Sequence, residues 1–478
     1  MADTRERATE ISGARQTVTA LIERARAAEK KYQRYNQAQL DEVVSAVGWA
    51  IMEPARNRTL AEIAVRDTGL GNVADKINKN HRKTLGLLRD LSGAVSTGVI
   101  AHDPATGITE IARPVGVVAA VVPSTNPGAT PANNIINALK CGNAVILSPS
   151  PKGYSTAVQL LEYIHQEFDR IDAPRDLVQV LPQPATKALS QELMKQADLV
   201  VVTGSQSNVR AGYSSGTPAL GVGAGNVAVV IDDSADCADA ARKVMLSKTF
   251  DHATSCSSEN SLVIHTGAYD RMVAELEREG AVLLSSTEKT TLQEAMFPGG
   301  ALSSAIVAQP VSQICAIAGL TRPAAVNAKC LLVEETGTGA EFPFSGEKLS
   351  PVLTLYRARD FDHAFQIMRA IYDYMGDGHS CGIYSEDESH IARLGLEMTV
   401  CRVIVKQAHA IANGGSFDNG LPFSLSMGCG TWGGNSFSEN LNYRHFMNVT
   451  RIVRTIPLRE PTVAEIFGKY WAEHGIKS

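Results

Sequence analysis

Between residues 115 and 405, short runs of β-branched residues alternate with stretches whose apolar residues recur at helical spacing. Repeated strand-helix units of this kind predict parallel sheets with helices on both faces, because each parallel strand needs a long crossover before the next. The first series runs from Val117 to Ile231, and a second begins near Cys237. No Pro/Gly/Ser-rich linker separates them. We therefore predict an α/β protein with two doubly wound, Rossmann-like lobes that face each other across a tight cleft.

Composition narrows the classes of partner. Lysine and arginine total 45 against 50 aspartate and glutamate, the formal charge is -5, and like charges form no run, which argues against nucleic-acid and membrane binding. The eight cysteines lie far apart without a Cys-x-x-Cys pair, so we expect reduced thiols and no metal site. No run of about 18 apolar residues is present to cross a bilayer. We expect a cytoplasmic protein whose partners are small molecules and copies of itself.

Cys256 is the first candidate for chemistry. It lies in the run TFDHATSCSSE (249–259), where small and hydroxylic neighbours leave a sulfur atom open to a substrate. This setting favours a nucleophile, and the alternative is a buried structural thiol.

Polar and glycine-rich segments follow several of the predicted strands. Asn126 ends the loop after Val117–Val122, where its amide either caps a helix or donates to a developing oxyanion. Residues 203–205 form a small-residue turn between a strand and a helix, which either admits a pyrophosphate or simply connects the two elements. The glycines at 221–226 and 428–434 either serve a site or allow tight turning.

Six segments, in this order, resemble the aldehyde dehydrogenase superfamily and, within it, the CoA-acylating branch that includes acetaldehyde and succinate-semialdehyde dehydrogenases. They are PSTNP (123–127), ALKCGNAVILSPSPK (138–152), AGYSSGTPALGVGAGN (211–226), SKTFDHATSCSSENS (247–261), EKLSPVL (347–353) and GCGTWGGNSFSEN (428–440). The resemblance spans nearly the whole chain. It implies an NAD- or NADP-dependent oxidoreductase that uses coenzyme A as co-substrate.

The resemblance also implies roles for single residues. Cys256 would attack the aldehyde carbonyl, and Asn126 with the Cys256 backbone amide would stabilise the oxyanion. Glu347 matches the glutamate that holds the nicotinamide ribose. The residues implied for cofactor binding are Ser124, Thr125, Ser148, Pro149, Ser150, Lys152, Thr203, Gly204, Ser205, Gly223, Glu347 and His379. Lys152 with Ser148 and Ser150 would also accommodate the 2′-phosphate of NADP.

One departure from the superfamily bears on the chemistry. Hydrolytic aldehyde dehydrogenases carry a glutamate that activates water, and Val222 stands in its place here. An alkyl side chain cannot act as a general base, so a thioester on Cys256 should persist until a thiol such as coenzyme A arrives. Two alternatives remain: a hydrolytic enzyme with another base, and a dehydrogenase fold without enzymatic activity.

The aldehyde is the least defined part of this interpretation. The run at 456–468 is similar to members acting on sulfoacetaldehyde or succinate semialdehyde, and we favour sulfoacetaldehyde over succinate semialdehyde and acetaldehyde. Cations proposed near the entrance for such an anion are Arg444, His445, Lys406 and His409. His252 is a further catalytic candidate, for the CoA thiol or an anionic substrate tail, and His379 a similar one; helix packing is the alternative for His252.

The resemblance also suggests a division of the chain. We predict a cofactor-binding domain at 1–236 with a hairpin arm at about 98–112, a catalytic domain at 237–430, and a segment at 431–478 that returns to the first domain. The hairpin and residues 448–456 resemble oligomerisation arms, whose unpaired edges invite strand addition. A homodimer or homotetramer follows by analogy.

Overall fold

The structure is a computed structural model that describes residues 2–476, with side chains described from residue 12 onward. Its α-helices are α1 (Ala2–Tyr32), α2 (Gln37–Met52), α3 (Pro54–Thr68), α4 (Val73–Leu91), α5 (Ala129–Lys140), α6 (Tyr154–Arg170), α7 (Lys187–Gln196), α8 (Gln206–Tyr213), α9 (Cys237–Thr249), α10 (Thr266–Arg278), α11 (Ser286–Met296), α12 (Val311–Ala318), α13 (Pro323–Val326), α14 (Phe361–Tyr374), α15 (Glu388–Glu397), α16 (His409–Ala412) and α17 (Val463–His474). Its strands are β1 (Gly98–Asp103), β2 (Ile108–Pro114), β3 (Val117–Val122), β4 (Ala144–Pro149), β5 (Val178–Val180), β6 (Leu199–Val202), β7 (Ala219–Gly221), β8 (Val227–Ile231), β9 (Glu259–His265), β10 (Ala281–Leu283), β11 (Cys330–Glu334), β12 (Val352–Ala358), β13 (Cys381–Tyr384), β14 (Val403–Val405) and β15 (Met447–Val453).

Two parallel sheets form the centres of the two lobes, as the strand-helix alternation predicts. The first has five strands in the order β5-β4-β3-β6-β7, and the second has seven in the order β10-β11-β12-β9-β8-β13-β14. Strands β3 and β4 are buried along their full length, because helices cover both faces of a parallel sheet. The predicted fold class is confirmed.

Strand β8 pairs with β9 and β13 in the seven-stranded sheet, whereas the sequence pattern grouped it with the first series. An apolar run that is buried on both faces carries no sign of the sheet it joins, so its partners could not be inferred. Only residues 222–226 separate β7, in one sheet, from β8, in the other. This short link holds the carboxyl edge of the first sheet close to the amino edge of the second. The domain boundaries at 236 and 430 remain predictions.

The third sheet is small and antiparallel. β1 and β2 form the predicted hairpin, and β15 pairs with β2 over its whole length, in the strand order β1-β2-β15. Within residues 2–476, no helix combines the length and apolar composition needed to span a bilayer.

Candidate active site

A cavity of about 890 Å³ lies where the two parallel sheets meet. Its walls come from the residues that follow β3, β4 and β6 in the first sheet and from those that precede β8, β9 and β12 in the second. Ligands of open α/β sheets bind at the carboxyl ends of strands, beside the point where strand order reverses. That point is the β3–β6 pair here, so the cavity is in the expected place for a ligand.

The loop that carries Cys256 has an unusual backbone. Asp251, His252 and Ala253 all have positive φ angles (51°, 51° and 59°), a region that non-glycine residues rarely adopt. The turn is held from outside, because the amide of Asn72 donates to Asp251 Oδ1 at 3.0 Å and the amide of Asp251 donates to Asp75 at 2.7 Å. Contacts with the start of α4 thus fix the approach of the chain to Cys256.

Lys79, on α4, connects this loop to Asn126. Its amine donates to Asn126 Oδ1 at 2.8 Å, to Asp251 Oδ2 at 2.6 Å and to Thr254 Oγ1 at 2.8 Å. Because the carboxamide oxygen of Asn126 is occupied, its Nδ2 group, whose nearest protein acceptor is Thr125 Oγ1 at 3.5 Å, is left to donate into the cavity. A second lysine, Lys76, also bonds Asp251, at 3.1 Å. Their positive charges hold the pKa of Asp251 at about 2 although burial opposes this.

Cys256 lines the cavity, and its thiol is in the neutral form at pH 7. Burial, with further repulsion from Glu347 and Cys429, raises the pKa of Cys256 to about 12. Its backbone lies against Gly225, where an added Cβ would come within 2.2 Å of the Cys256 carbonyl oxygen. Gly225 therefore allows the close approach of the 222–226 link to the Cys256 loop.

Glu347 is the one carboxylic acid that lines the cavity. Burial raises its pKa to about 8, against the attraction of Lys248 and a hydrogen bond from the Gly225 amide. At neutral pH the neutral acid therefore predominates. Val222, which the sequence analysis put in the place of the water-activating glutamate, also lines the cavity.

The predicted cofactor residues are mostly brought together. Ser124, Thr125, Ser148, Pro149, Ser150, Thr203, Gly204, Ser205, Gly223 and Glu347 all line the same cavity. Lys152 is exposed and does not line it, because Ser150 accepts from the Gly153 amide in a tight turn. Lys187, at the start of α7, lines this part of the cavity and was missed by the sequence reasoning.

The volume of the cavity and the chemistry of its lining suit a dinucleotide. It extends from Ser148 and Ser190, whose hydroxyls are 2.8 Å apart, to Cys256 and Glu347. Hydroxyl groups and the turn at 203–205 offer donors to ribose and phosphate along the way.

Two predicted histidines lie elsewhere. His252 does not line the cavity; its left-handed backbone belongs to the turn whose Asp251 side chain reaches the lysines of α4. His379 is fully buried, with Nδ1 bonded to Ser380 Oγ at 2.8 Å and Nε2 without a partner among the described residues. Burial lowers the pKa of both imidazoles. Their proposed roles gain no support from this placement.

The four cations predicted at the aldehyde entrance also lie outside the cavity lining. Lys406 pairs with Glu386 at 2.8 Å, and His409 is buried with its Nδ1 2.9 Å from the Ser257 carbonyl. Arg444 and His445 lie in a short turn near the start of β15. Other cations do line the cavity: besides Lys187, they are Lys79, Arg82 and Lys83 of α4, at positions i, i+3 and i+4.

A signal for the two lysines among these three residues was present in the sequence. Lys76, Lys79 and Lys83 continue the buried face of α4 that also contains Leu87 and Leu91. Lysines in register with core leucines indicate cations held in the interior, whereas isolated helical lysines usually face solvent.

The chain belongs to the aldehyde dehydrogenase family, whose profile matches residues 2–298. The fold and the cavity described above agree with this class of protein. The chain is 60% identical over 462 residues to the sulfoacetaldehyde dehydrogenase (acylating) of Cupriavidus necator, covering 97% of this chain and 94% of the relative. It is 34% identical to the succinate-semialdehyde dehydrogenase (acetylating) of Clostridium kluyveri, over 95% and 99% of the two chains. An acetylating aldehyde dehydrogenase from Geobacillus thermoglucosidasius has the same fold, with a TM-score of 0.90, 34% identity and coverage of 95% and 99%. The predicted resemblance to the acylating branch is confirmed.

Proposed function

We propose that the protein is a CoA-acylating aldehyde dehydrogenase that converts sulfoacetaldehyde, CoA and NAD or NADP into the acyl-CoA and the reduced nucleotide. The identity of 60% with a sulfoacetaldehyde dehydrogenase (acylating) supports the substrate. The observation that carries the acylating chemistry is the pairing of Cys256 with Val222 in one cavity.

Cys256 and Asn126 perform the first half of the reaction. The Cys256 thiol releases its proton to solvent, Sγ bonds to the aldehyde carbon as the carbonyl π bond breaks, and Asn126 Nδ2, with the Cys256 backbone amide, donates to the resulting oxyanion. Lys79 keeps the Asn126 oxygen turned away from that anion, through their 2.8 Å hydrogen bond. A bound oxidised nicotinamide supplies the hydride acceptor, with Ser148, Thr203, Ser205 and Glu347 as its proposed binding residues. The acyl group then remains on Sγ as a thioester.

Transfer to CoA is favoured because Val222 lies in the cavity where hydrolytic aldehyde dehydrogenases carry the glutamate that activates water. An alkyl side chain has no ionisable group and cannot act as a general base. The CoA thiolate attacks the thioester carbonyl, the new C–S bond forms, and the Cys256 thiolate leaves. Exchange of one thioester for another is nearly balanced in energy, so the reaction is reversible.

An assay with and without CoA tests this proposal. We expect nucleotide reduction to stop after one equivalent per active site without CoA and to continue with it, and sulfoacetaldehyde to exceed succinate semialdehyde and acetaldehyde in kcat/KM. Sustained turnover to free acid without CoA would instead favour the hydrolytic alternative. The Val222→Glu variant is the matched comparison, since it places a carboxylate in the same cavity and should increase hydrolysis.

We also propose that the protein forms a homodimer or homotetramer through the three-stranded sheet. The outer edge of β15 has no partner strand within residues 2–476, and Val453 on it is 70% exposed. An open apolar edge favours addition of a strand from a second copy. A cytoplasmic location is proposed from the eight unpaired cysteines.

A further inference from the structure

Three cations of α4 line the cavity, but only one of them has a counterion. The amine of Lys79 lies 2.6 Å from Asp251. Arg82 and Lys83 have no carboxylate within 4.0 Å among the residues whose side chains the structure describes. Two basic side chains therefore face the cavity without a carboxylate partner among the described residues.

Neutral groups hold both side chains in place. Lys83 Nζ donates to the Gly414 carbonyl at 2.6 Å, and Arg82 Nη2 donates to the Ile411 carbonyl at 3.2 Å and to Ser416 Oγ at 3.0 Å. These contacts satisfy some hydrogen-bond donors but do not neutralise the charges. The exposed Asp418 attracts Arg82 only at longer range.

Gly414 leaves room for the Lys83 side chain. An added Cβ at Gly414 would lie 2.6 Å from Lys83 Nζ, so the absence of a side chain there makes room for the amine. Lys83 is only 8% exposed. Burial, with repulsion from Arg82 and Lys79, lowers the pKa of its amine well below the ordinary value. A buried, unpaired cation is costly, and an anionic ligand would offset that cost.

Lys83 and Cys256 line the same cavity, so a ligand bonded to the sulfur shares that space with the Lys83 amine. A substrate bonded to Cys256 with its anionic tail one carbon from the carbonyl must place that tail within a few ångströms of Sγ. Lysine and arginine together offer several N–H donors, which suits the three oxygens of a sulfonate.

We propose that Lys83 and Arg82 form the subsite that recognises the anionic tail of the aldehyde and thereby select a sulfonate-bearing substrate. This inference rests on the proposed function for the position of the carbonyl at Cys256. The anionic tail is thus assigned to α4, whereas the sequence analysis had expected it at Arg444, His445, Lys406 and His409.

The test compares kcat/KM for sulfoacetaldehyde with that for propionaldehyde, a neutral aldehyde. We expect Lys83→Met to lower the value for sulfoacetaldehyde by about 100-fold or more, in line with the loss of a buried charge contact, and to leave propionaldehyde within about threefold. Lys83→Arg should recover most of the preference. Arg89→Met is the matched control, because Arg89 is on the same helix, does not line the cavity and pairs with Asp90 at 2.8 Å.

A binding measurement separates this inference from the proposed function. Ethanesulfonate is titrated into Cys256→Ala protein with and without Lys83→Met, which requires no turnover. We expect affinity for ethanesulfonate to fall at least tenfold when Lys83 is replaced. Equal binding, or an unchanged preference for sulfoacetaldehyde in both Lys83→Met and Arg82→Gln, would overturn the subsite while leaving the acylating activity intact. Absence of CoA-dependent turnover in the wild type would overturn the function itself.

Discussion

At the scale of single residues, Lys79 links the folded loop to the proposed chemistry. It is the residue that bonds both the Asn126 carboxamide and the Asp251 carboxylate, at 2.8 and 2.6 Å. Most helical lysines face solvent, so Lys79 was not singled out from the sequence, although it lies in register with the core leucines of α4. The orientation of the Asn126 carboxamide therefore depends on Lys79, whose amine donates to its oxygen.

Replacing Lys79 by Met should lower kcat by about 10- to 100-fold, because Asn126 is then free to turn its oxygen toward the oxyanion. This is less than the roughly 10²- to 10³-fold loss typical of deleting an oxyanion donor, expected for Asn126→Ala. In the double variant the losses should not add, since Lys79 acts through Asn126. Steady-state rates of the four proteins measure this.

Lys76→Met is the control for that cycle, because Lys76 bonds Asp251 but not Asn126. In a double variant with Asn126→Ala, the two losses in kcat should add in full. Additive losses for Lys79→Met and Asn126→Ala would show that Lys79 only supports the fold.

The thiol of Cys256 should titrate far above neutrality in the free protein. With a pKa of about 12, its thiolate fraction at pH 8 is about 10⁻⁴, and it rises about tenfold for each pH unit. We expect the alkylation rate of the Cys256 peptide by iodoacetamide, followed by mass spectrometry, to increase steadily from pH 7 to pH 10. A plateau below pH 8 would show that another group stabilises the thiolate.

At the scale of elements, the sequence predicted which segments are strands and helices but not all of their partners. The sequence singled out Asn126 and residues 203–205 in the segments that follow β3 and β6, and the family resemblance added Ser148. All of these residues line one cavity. The partners of β8 depended on long-range packing, which no local pattern encodes. The buried lysines of α4 were missed although their register with Leu87 and Leu91 is visible in the sequence.

The packing of α4 offers a stability test. An added Cβ at Gly86 would lie 2.3 Å from the ring of Phe423, so Gly86→Ala should lower the free energy of unfolding by about 1–3 kcal/mol. Gly395, in α15, has open space around its Cα, and Gly395→Ala should raise that energy by about 0.5–1 kcal/mol. Denaturant unfolding of both variants measures this. Equal effects of the two substitutions would contradict the described contact.

At the scale of the whole molecule, two features follow from the way the chain crosses between sheets. The short link from β7 to β8 brings Val222, Gly223 and Gly225 beside Cys256, so the cofactor side and the thiol side share one cavity. The return of β15 to the hairpin leaves an open sheet edge on the outside.

That edge should determine the oligomeric state. The chain has a mass of 51.0 kDa, and we expect light scattering to give two or four times this value for the wild type. Replacing Ile452 and Val453 by Lys should shift the protein toward monomer, because charges on an exposed edge oppose strand addition. Leu396→Lys, which alters an 85% exposed leucine of α15, is the control. An unchanged mass in the double variant would place the interface elsewhere.

In the proposed mechanism the acyl group stays bonded to Cys256 as a thioester until a thiol removes it. Intact-protein mass spectrometry of enzyme mixed with sulfoacetaldehyde and oxidised nucleotide, without CoA, tests it most directly. We expect one acyl adduct per chain, located on Cys256 and lost within seconds when CoA is added. Free acid accumulating at a steady rate, with no adduct on the protein, would contradict it.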